Sequence, residues 1–419
     1  MAAALLYLLW IGFFLHRRKA IDYVRFQEMS SNQNTLIELV QGMPEIKLQG
    51  SERKRRAIWA SIQAKLFHIS LQSLNLTQLQ EAGAAFINQS KDLLISFVAA
   101  KAVIDGQMSL GMMLSTQYMV GQLNAPLQQF IAFIRSAQDA RISLERLNEI
   151  HQQPEEGILR GGKNAHTFED TLPQEGAISL QNVSFQYNAL SDEVLKKVNL
   201  TFPKGKVTAI VGSSGSGKTT LVKLLLGFYT PTKGAIRIGN RLLSSITPSV
   251  WRQHCGAVMQ DGFIFSDTIA NNIAESDEIM NRERLFHAVE MANIQDFIET
   301  LPLGYNTMIG AKGNGISQGQ KQRLLIARAV YKNPDFLFFD EATNALDANN
   351  ERVIVENLNA FFQNRTVIVV AHRLSTVKNA DQIVVLERGE VVEIGNHQTL
   401  VAQRGPYFNL VKNQLELGS

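Results

Sequence analysis

The sequence predicts an all-α segment followed by an α/β unit built on a parallel sheet, and three observations carry that division. Residues 1–135 are rich in Leu, Ala, Met, Gln and Phe and nearly free of Pro, whereas the remainder alternates glycine-rich turns with Val/Ile strands and helices. Short apolar runs at 207–211, 336–339 and 366–370 have the continuous character of buried parallel strands. The first of these runs into Gly212-Ser213-Ser214-Gly215-Ser216-Gly217-Lys218-Thr219-Thr220, a glycine loop followed by the helical pattern of residues 221–226.

At 419 residues the chain is long for one domain, and two or three units are expected at about 150 residues each. The formal net charge of +3, with basic residues spread among nearly as many acids, implies no nucleic acid or other polyanion as partner. A single cysteine, Cys255, excludes an intrachain disulfide and offers no zinc-type spacing. Standing just before a strand, it reads as a buried structural thiol.

Residues 1–15 form an apolar run ending at His16-Arg17-Arg18-Lys19. A full membrane span needs about 20 residues, so the run reads as the inner end of a membrane helix, with its basic flank at the cytoplasmic face. No basic region precedes it and no small-residue cleavage site follows, which argues against a signal peptide. A mostly polar helical pattern over 20–75, broken at Gly42-Met43-Pro44 and Gly50, predicts a hairpin reaching roughly 35 to 40 Å from the bilayer, with its tip near 43–50. Beyond the tip, Arg53-Lys54-Arg55-Arg56 reads as a solvated helix face.

Two further apolar stretches, 79–104 and 110–134, are joined by Asp105-Gly106-Gln107 and predict an out-and-back helical pair. The first carries Asn88, Gln89, Lys91 and Asp92; the second carries Gln117, Gln122, Asn124, Gln128 and Gln129. A charge at the bilayer centre costs at least about 2.5 kcal/mol unless it faces protein or water. These residues therefore line a polar conduit, or the segments form a soluble bundle with a Gln-rich surface. Residues 136–150 continue as a charged amphipathic helix, and 151–175, with Gly161-Gly162 and Pro173, form a linker. The expected division is 1–150, 151–175 and 176–419.

The glycine loop satisfies GxxxxGK[ST] in its strand-loop-helix setting, which marks a P-loop nucleotide-binding unit. Its glycines let successive N–H groups point inward at a helix N-terminus, where phosphate is favoured. Lys218 is expected on the β- and γ-phosphates, and the Thr219 hydroxyl on Mg²⁺. Asp340, at the carboxyl end of the 336–339 run, fits a Mg²⁺-organising acid, and Glu341 a general base holding the attacking water. His372, after the 366–370 run, can hydrogen-bond a γ-phosphate. Gln260 can bridge Mg²⁺ and water, and Tyr187 can stack on an adenine ring.

Tyr187, the loop 212–220, Gln260, Ser317-Gln318-Gly319-Gln320, Asp340-Glu341, Ala345-Leu346-Asp347 and His372 occur in the order of the A-loop, Walker A, Q-loop, signature, Walker B, D-loop and switch histidine. Over about 176–415 the chain thus resembles the ATP-binding cassette (ABC) family. Upstream it resembles the back half of an exporter's membrane domain: the end of the fourth helix, a hairpin with a coupling helix near 43–50, and the fifth and sixth helices. Residues 407–417 and the signature region resemble bacterial exporters that carry an N-terminal cysteine peptidase and secrete bacteriocin-like peptides. With about half of the six-helix membrane domain and no peptidase, the chain reads as the C-terminal part of such a half-transporter.

The resemblance implies ATP and Mg²⁺ as cofactors and a multi-pass protein of the cell membrane with its nucleotide-binding domain in the cytoplasm. Partners are a second copy or another half-transporter; the likeness to peptide exporters suggests a peptide cargo, while the polar residues of 79–134 identify none. Ser317, Gln318, Gly319 and Gln320 of one subunit would close over ATP held by the other's Gly212–Thr220 loop, since that loop already cradles its own phosphate. Two departures stand out. Gln318 replaces the first glycine of the usual Leu-Ser-Gly-Gly-Gln, and Ala311 stands where such exporters usually carry glutamate. The leading expectation is an ATP-hydrolysing exporter subunit. Its alternatives are a truncated protein that binds ATP without transporting on its own, and a soluble cassette ATPase of DNA repair or translation, with which residues 79–134 conflict.

Overall fold

A computed structural model of the chain describes residues 2–122, 124–151, 171–173, 176–188, 190–310, 313, 315–342, 344, 346–371 and 377–417. Two compact units emerge, Met1–Gln152 and Gln153–Ser419. Most of the expected linker 151–175 lies outside the described residues.

The first unit is helical. Helix α1 spans Ala2–Gln41, α2 Met43–Leu48, α3 Glu52–Ile104, α4 Leu110–Gln122 and α5 Asn124–His151. The chain turns where its punctuation says it must: Pro44 starts α2, and Gly50 takes φ +58° before Ser51 opens α3. Between these breaks the apolar and polar stretches merge into single long helices. Helices α1 and α3 pack as a hairpin, joined by Trp59 Nε1 donating to Asn32 Oδ1 at 3.1 Å and Trp10 Nε1 donating to the Gln80 carbonyl at 3.1 Å. Gly83 makes room for Trp10, because a Cβ there would lie 2.3 Å from the indole. At the next turn, Gly106 takes φ +71° and its N–H donates to the Val103 carbonyl, closing α3. Gln117 Nε2 then donates to Ser96 Oγ at 3.1 Å, tying α4 back to α3.

The membrane spans expected over 79–104 and 110–134 are helical, but among the described residues no helix is long and apolar enough to cross a membrane. The physical reason lies in the polar interruptions. Asn88, Gln89, Lys91 and Asp92 break the apolar run of α3, and α4 is 13 residues long.

In the second unit the strands are β1 Ile178–Phe185, β2 Leu195–Phe202, β3 Val207–Val211, β4 Lys233–Ile238, β5 Arg241–Leu242, β6 Cys255–Val258, β7 Phe336–Asp340, β8 Thr366–Val370, β9 Gln382–Glu387 and β10 Glu390–Gly395. The helices used below are α6 Lys218–Leu225, α7 Pro248–Gln253, α8 Ile269–Ile273, α9 Arg282–Met291, α10 Gln295–Thr300, α11 Gln318–Lys332 and α12 Ala348–Phe361. A six-stranded sheet has the order β10-β9-β3-β8-β7-β6, parallel except for the β9-β10 hairpin. A second sheet, β2-β1-β4-β5, is antiparallel.

Burial follows the sequence pattern. The continuous apolar runs of β7 and β8 are buried at every position, whereas β2 alternates between buried and exposed. One core lies between the two sheets around α6, with Ile210, Leu221, Phe338, Val370, Leu180 and Phe202. The other joins the opposite sheet face to α8, α9, α11 and α12. Cys255 is buried in the inter-sheet core, and its burial raises the thiol pKa well above the ordinary range, so it stays protonated and unreactive.

Candidate nucleotide-binding site

Strands β3, β8, β7 and β6 are consecutive neighbours, and their carboxyl ends share one edge of the sheet. That edge is where ligands bind in open parallel sheets. The loop after β3 curls through Gly212, Gly215 at φ +78° and Gly217 at φ +101°, and Gly217 caps α6. At Gly217 a side chain would meet both strain and Leu195 Cδ2 at 2.8 Å, so glycine is required there. The Gly389 N–H donates to the Ser216 carbonyl at 3.1 Å, seating the loop on the β9-β10 turn. Ser213, Ser214 and Gly215 form the exposed rim, while Ser216, Gly217 and Lys218 are buried.

Lys218 Nζ donates to the Gly212 and Ser213 carbonyls, each at 2.9 Å. An ammonium has three donors, so one remains for a phosphate oxygen. Burial lowers the Lys218 pKa, and the nearby Glu341 and Asp340 charges oppose that shift. Asp340 ends β7 with no solvent exposure, and neither carboxylate oxygen has a hydrogen bond of normal geometry. Burial raises its pKa; the neighbouring Thr219 hydroxyl pulls the other way.

Glu341 follows at φ +54°, a left-handed conformation that costs a non-glycine residue about 1 kcal/mol or more. Three contacts hold it there. Its N–H donates to the Val370 carbonyl at 3.2 Å, Gln322 Nε2 donates to its carbonyl at 2.9 Å, and Asn344 Nδ2 donates to its Oε2 at 2.7 Å. Gln322 and Asn344 were not singled out from the sequence, because no spacing rule links them to the strand end. Gln260 lies exposed two residues beyond β6, on the same sheet edge. Tyr187 shares a 3.0 Å hydrogen bond with Thr220. His372, with Ala311 and Ala345, lies outside the described residues; Ala371 before it donates its N–H to the Ile210 carbonyl at 3.2 Å.

Ser317 caps α11. Its Oγ accepts from the Gln320 N–H at 3.2 Å, and its own N–H donates to Gln320 Oε1 at 2.8 Å, a reciprocal capping box. The S-x-x-Q spacing that builds this box was visible in the sequence. Ser317 and Gln318 are exposed, and among the described residues no hydrogen bond joins them to the glycine loop. Asp347 caps α12, its Oδ1 accepting from the Asn350 N–H at 2.8 Å.

This strand-loop-helix cradle, its buried acid and the separate capped helix coincide with a family match: residues 195–344 fit the ABC transporter family. The chain carries an ABC transporter domain. Similarity extends well beyond that domain. The leukotoxin export ATP-binding protein of Aggregatibacter actinomycetemcomitans is 36% identical over 413 residues, which is 98% of this chain and 57% of that protein. The leukotoxin translocation ATP-binding protein of Mannheimia haemolytica is 37% identical over 414 residues, with the same two coverages. The chain therefore spans a little over half the length of these relatives. Among solved structures, a bacterial Atm1-family ABC exporter with ATP bound matches with a TM-score of 0.92 at 28% identity, covering 99% of this chain and 72% of that one.

Proposed function

We propose that the chain is the ATP-hydrolysing subunit of a dimeric ABC exporter that moves a polypeptide across the cell membrane. The observation carrying this is Asp340, a fully buried carboxylate beside Lys218 and Thr219 whose oxygens make no hydrogen bond of normal geometry. Such a group is costly unless a cation compensates it. Asp340, Thr219 and Gln260 fit Mg²⁺, which when bound neutralises charge on the β- and γ-phosphates.

The remaining roles belong to the chain's own groups. The loop N–H groups of Gly212, Ser213, Ser214, Gly215, Ser216 and Gly217, with those of Lys218, Thr219 and Thr220 at the start of α6, bind phosphate, and Lys218 adds its free donor. Glu341 orients water and accepts its proton, with Asn344 and Gln322 fixing its position. Tyr187 carries the adenine ring and His372 the γ-phosphate. Ser317, Gln318, Gly319 and Gln320 are exposed or half-buried at the start of a 15-residue helix. We assign them to the nucleotide of a second subunit, either an identical copy or another half-transporter.

Membrane embedding of the helical unit is supported by its exposed apolar residues, including Phe86, Leu93, Phe97 and Ile104. The exporter relatives support it as well. A polypeptide cargo accords with the resemblance to peptide exporters and with relatives named for leukotoxin export. Glu341→Gln in the full chain tests the core of the proposal. ATP binding should persist, turnover should fall at least about 100-fold, and an ATP-bound dimer should accumulate on size-exclusion chromatography. Turnover at the original rate would overturn the base assignment.

A further inference from the structure

Three groups of this chain fix the Tyr187 ring. Its hydroxyl shares the 3.0 Å hydrogen bond with Thr220 Oγ1. Tyr229 meets it edge to face, with centroids 5.3 Å apart and planes at 89°. Phe185, itself buried, meets it at 5.1 Å and 80°. Tyr229 also packs on Phe185 at 5.4 Å, which closes a cluster of three rings. Tyr187 nevertheless stays 47% exposed, leaving surface for a base to stack on.

The cluster draws on separate parts of the chain. Tyr187 stands in the loop after β1, Thr220 in the first turn of α6, and Tyr229 beyond the end of that helix. The hydrogen bond spans 33 residues of sequence and ties the loop bearing Tyr187 to the helix that opens from the phosphate cradle. An exposed tyrosine on a loop would otherwise lose rotamer freedom when a ligand orders it, and fixing it beforehand removes that cost from binding.

We propose that Thr220 and Tyr229 are positioning residues for Tyr187, holding its ring as a preset platform for the nucleobase. The inference rests on the nucleotide-binding reading above. It assigns Tyr229 a role that touches neither phosphate nor metal. It also divides nucleotide recognition into two separable parts. The loop 212–219 reads the phosphates, the cluster reads the base through Tyr187, and Thr220 joins the two, its N–H serving the loop and its hydroxyl the cluster.

The test compares ATP with inorganic tripolyphosphate, which has no base, by equilibrium binding to the full chain. Tyr187→Phe keeps the ring but removes the hydroxyl, and should weaken ATP about fivefold, the worth of one neutral hydrogen bond, while leaving tripolyphosphate unchanged. Tyr229→Leu should do the same. Adding Thr220→Val to Tyr187→Phe should reduce the ratio of ATP to tripolyphosphate affinity no further, and Thr220→Ser should preserve that ratio. Unaltered ATP affinity in both Tyr187→Phe and Tyr229→Leu would overturn the inference, as would a parallel loss of ATP and tripolyphosphate, which signals structural damage. An original chain that binds neither ligand would overturn the nucleotide reading itself.

Discussion

The two units bury their apolar residues in opposite ways. In the ABC unit, strands β7 and β8 are covered at every position, and two continuous cores fill both faces of the main sheet. In the helical unit the buried apolar side chains among the described residues are Phe14, Ile46, Ile62 and Ala99. Leu93, Phe97 and Ile104 stand at 72%, 69% and 84% exposure. The ABC unit buries the apolar side chains of its central strands internally, although Phe263, Ile279 and Leu303 stay exposed on its surface. The helical unit leaves its apolar surface to surroundings, and holds its hairpin through local fits such as Trp10 against Gly83 and Gln80. Substitutions in the first should therefore act on chemistry within a rigid frame, and those in the second on the frame.

The largest effect expected from this contrast is at Lys218. Lys218→Ala removes the free donor toward phosphate and the two bonds to the Gly212 and Ser213 carbonyls. Charge-assisted hydrogen bonds contribute about 1.5 to 3 kcal/mol each, so ATP affinity should fall on the order of 100-fold in a binding titration. The sheet around it should keep its circular dichroism signature. Unchanged ATPase kinetics would contradict the P-loop role.

The counterpart in the helical unit is Gly83→Leu. A Cβ at that position lies 2.3 Å from the indole, so Trp10 must leave its site and lose its bond to the Gln80 carbonyl. Overpacking of this kind costs about 1 to 3 kcal/mol. Thermal unfolding of the full chain should begin earlier, with ATP affinity unchanged. A coincident loss of both would mean that the contrast between the units is drawn too sharply.

What the sequence disclosed differs between the units for the same reason. Strand-loop-helix order at 207–226, the acid after the 336–339 run and the buried Cys255 were legible because each depends on local periodicity or glycine punctuation. So were the breaks at Gly42 and Gly50. The order β2-β1-β4-β5, the hold of Gln322 and Asn344 on Glu341, and the Tyr187-Thr220-Tyr229 cluster were not. The sheet order and the ring cluster depend on residues brought together when the sheets close over α6, and the Gln322 bond depends on α11 docking on the other face of the main sheet. At Ser317 the sequence shows the start of a helix, while the reciprocal bonds of the capping box emerge only in the structure. For the helical unit, apolar runs suggested membrane spans, while Asn88, Gln89, Lys91 and Asp92 interrupt the run that such a span requires.

The smallest effect, and the one that probes the closed core most directly, is at Asp340. Burial holds its pKa above the ordinary carboxylate value of 3.8; Thr219 opposes the shift and Glu341 adds to it. A group whose folded pKa is raised contributes stability that is full below the unfolded pKa and is lost as pH rises through the folded one. The nucleotide-free chain should therefore lose stability as pH climbs across that window. Asp340→Asn abolishes this titration. At neutral pH it should stabilise the nucleotide-free protein by about 1 kcal/mol, since it replaces a buried charge by a neutral group of similar shape, and raise Tm by about 2 to 4 °C. In the same variant adding Mg²⁺ should no longer raise Tm beyond the value with ATP alone, because ligand stabilisation requires affinity for the folded state. A lower Tm without nucleotide, or an intact Mg²⁺-dependent shift with it, would show that Asp340 is satisfied within the fold and is not reserved for the cation.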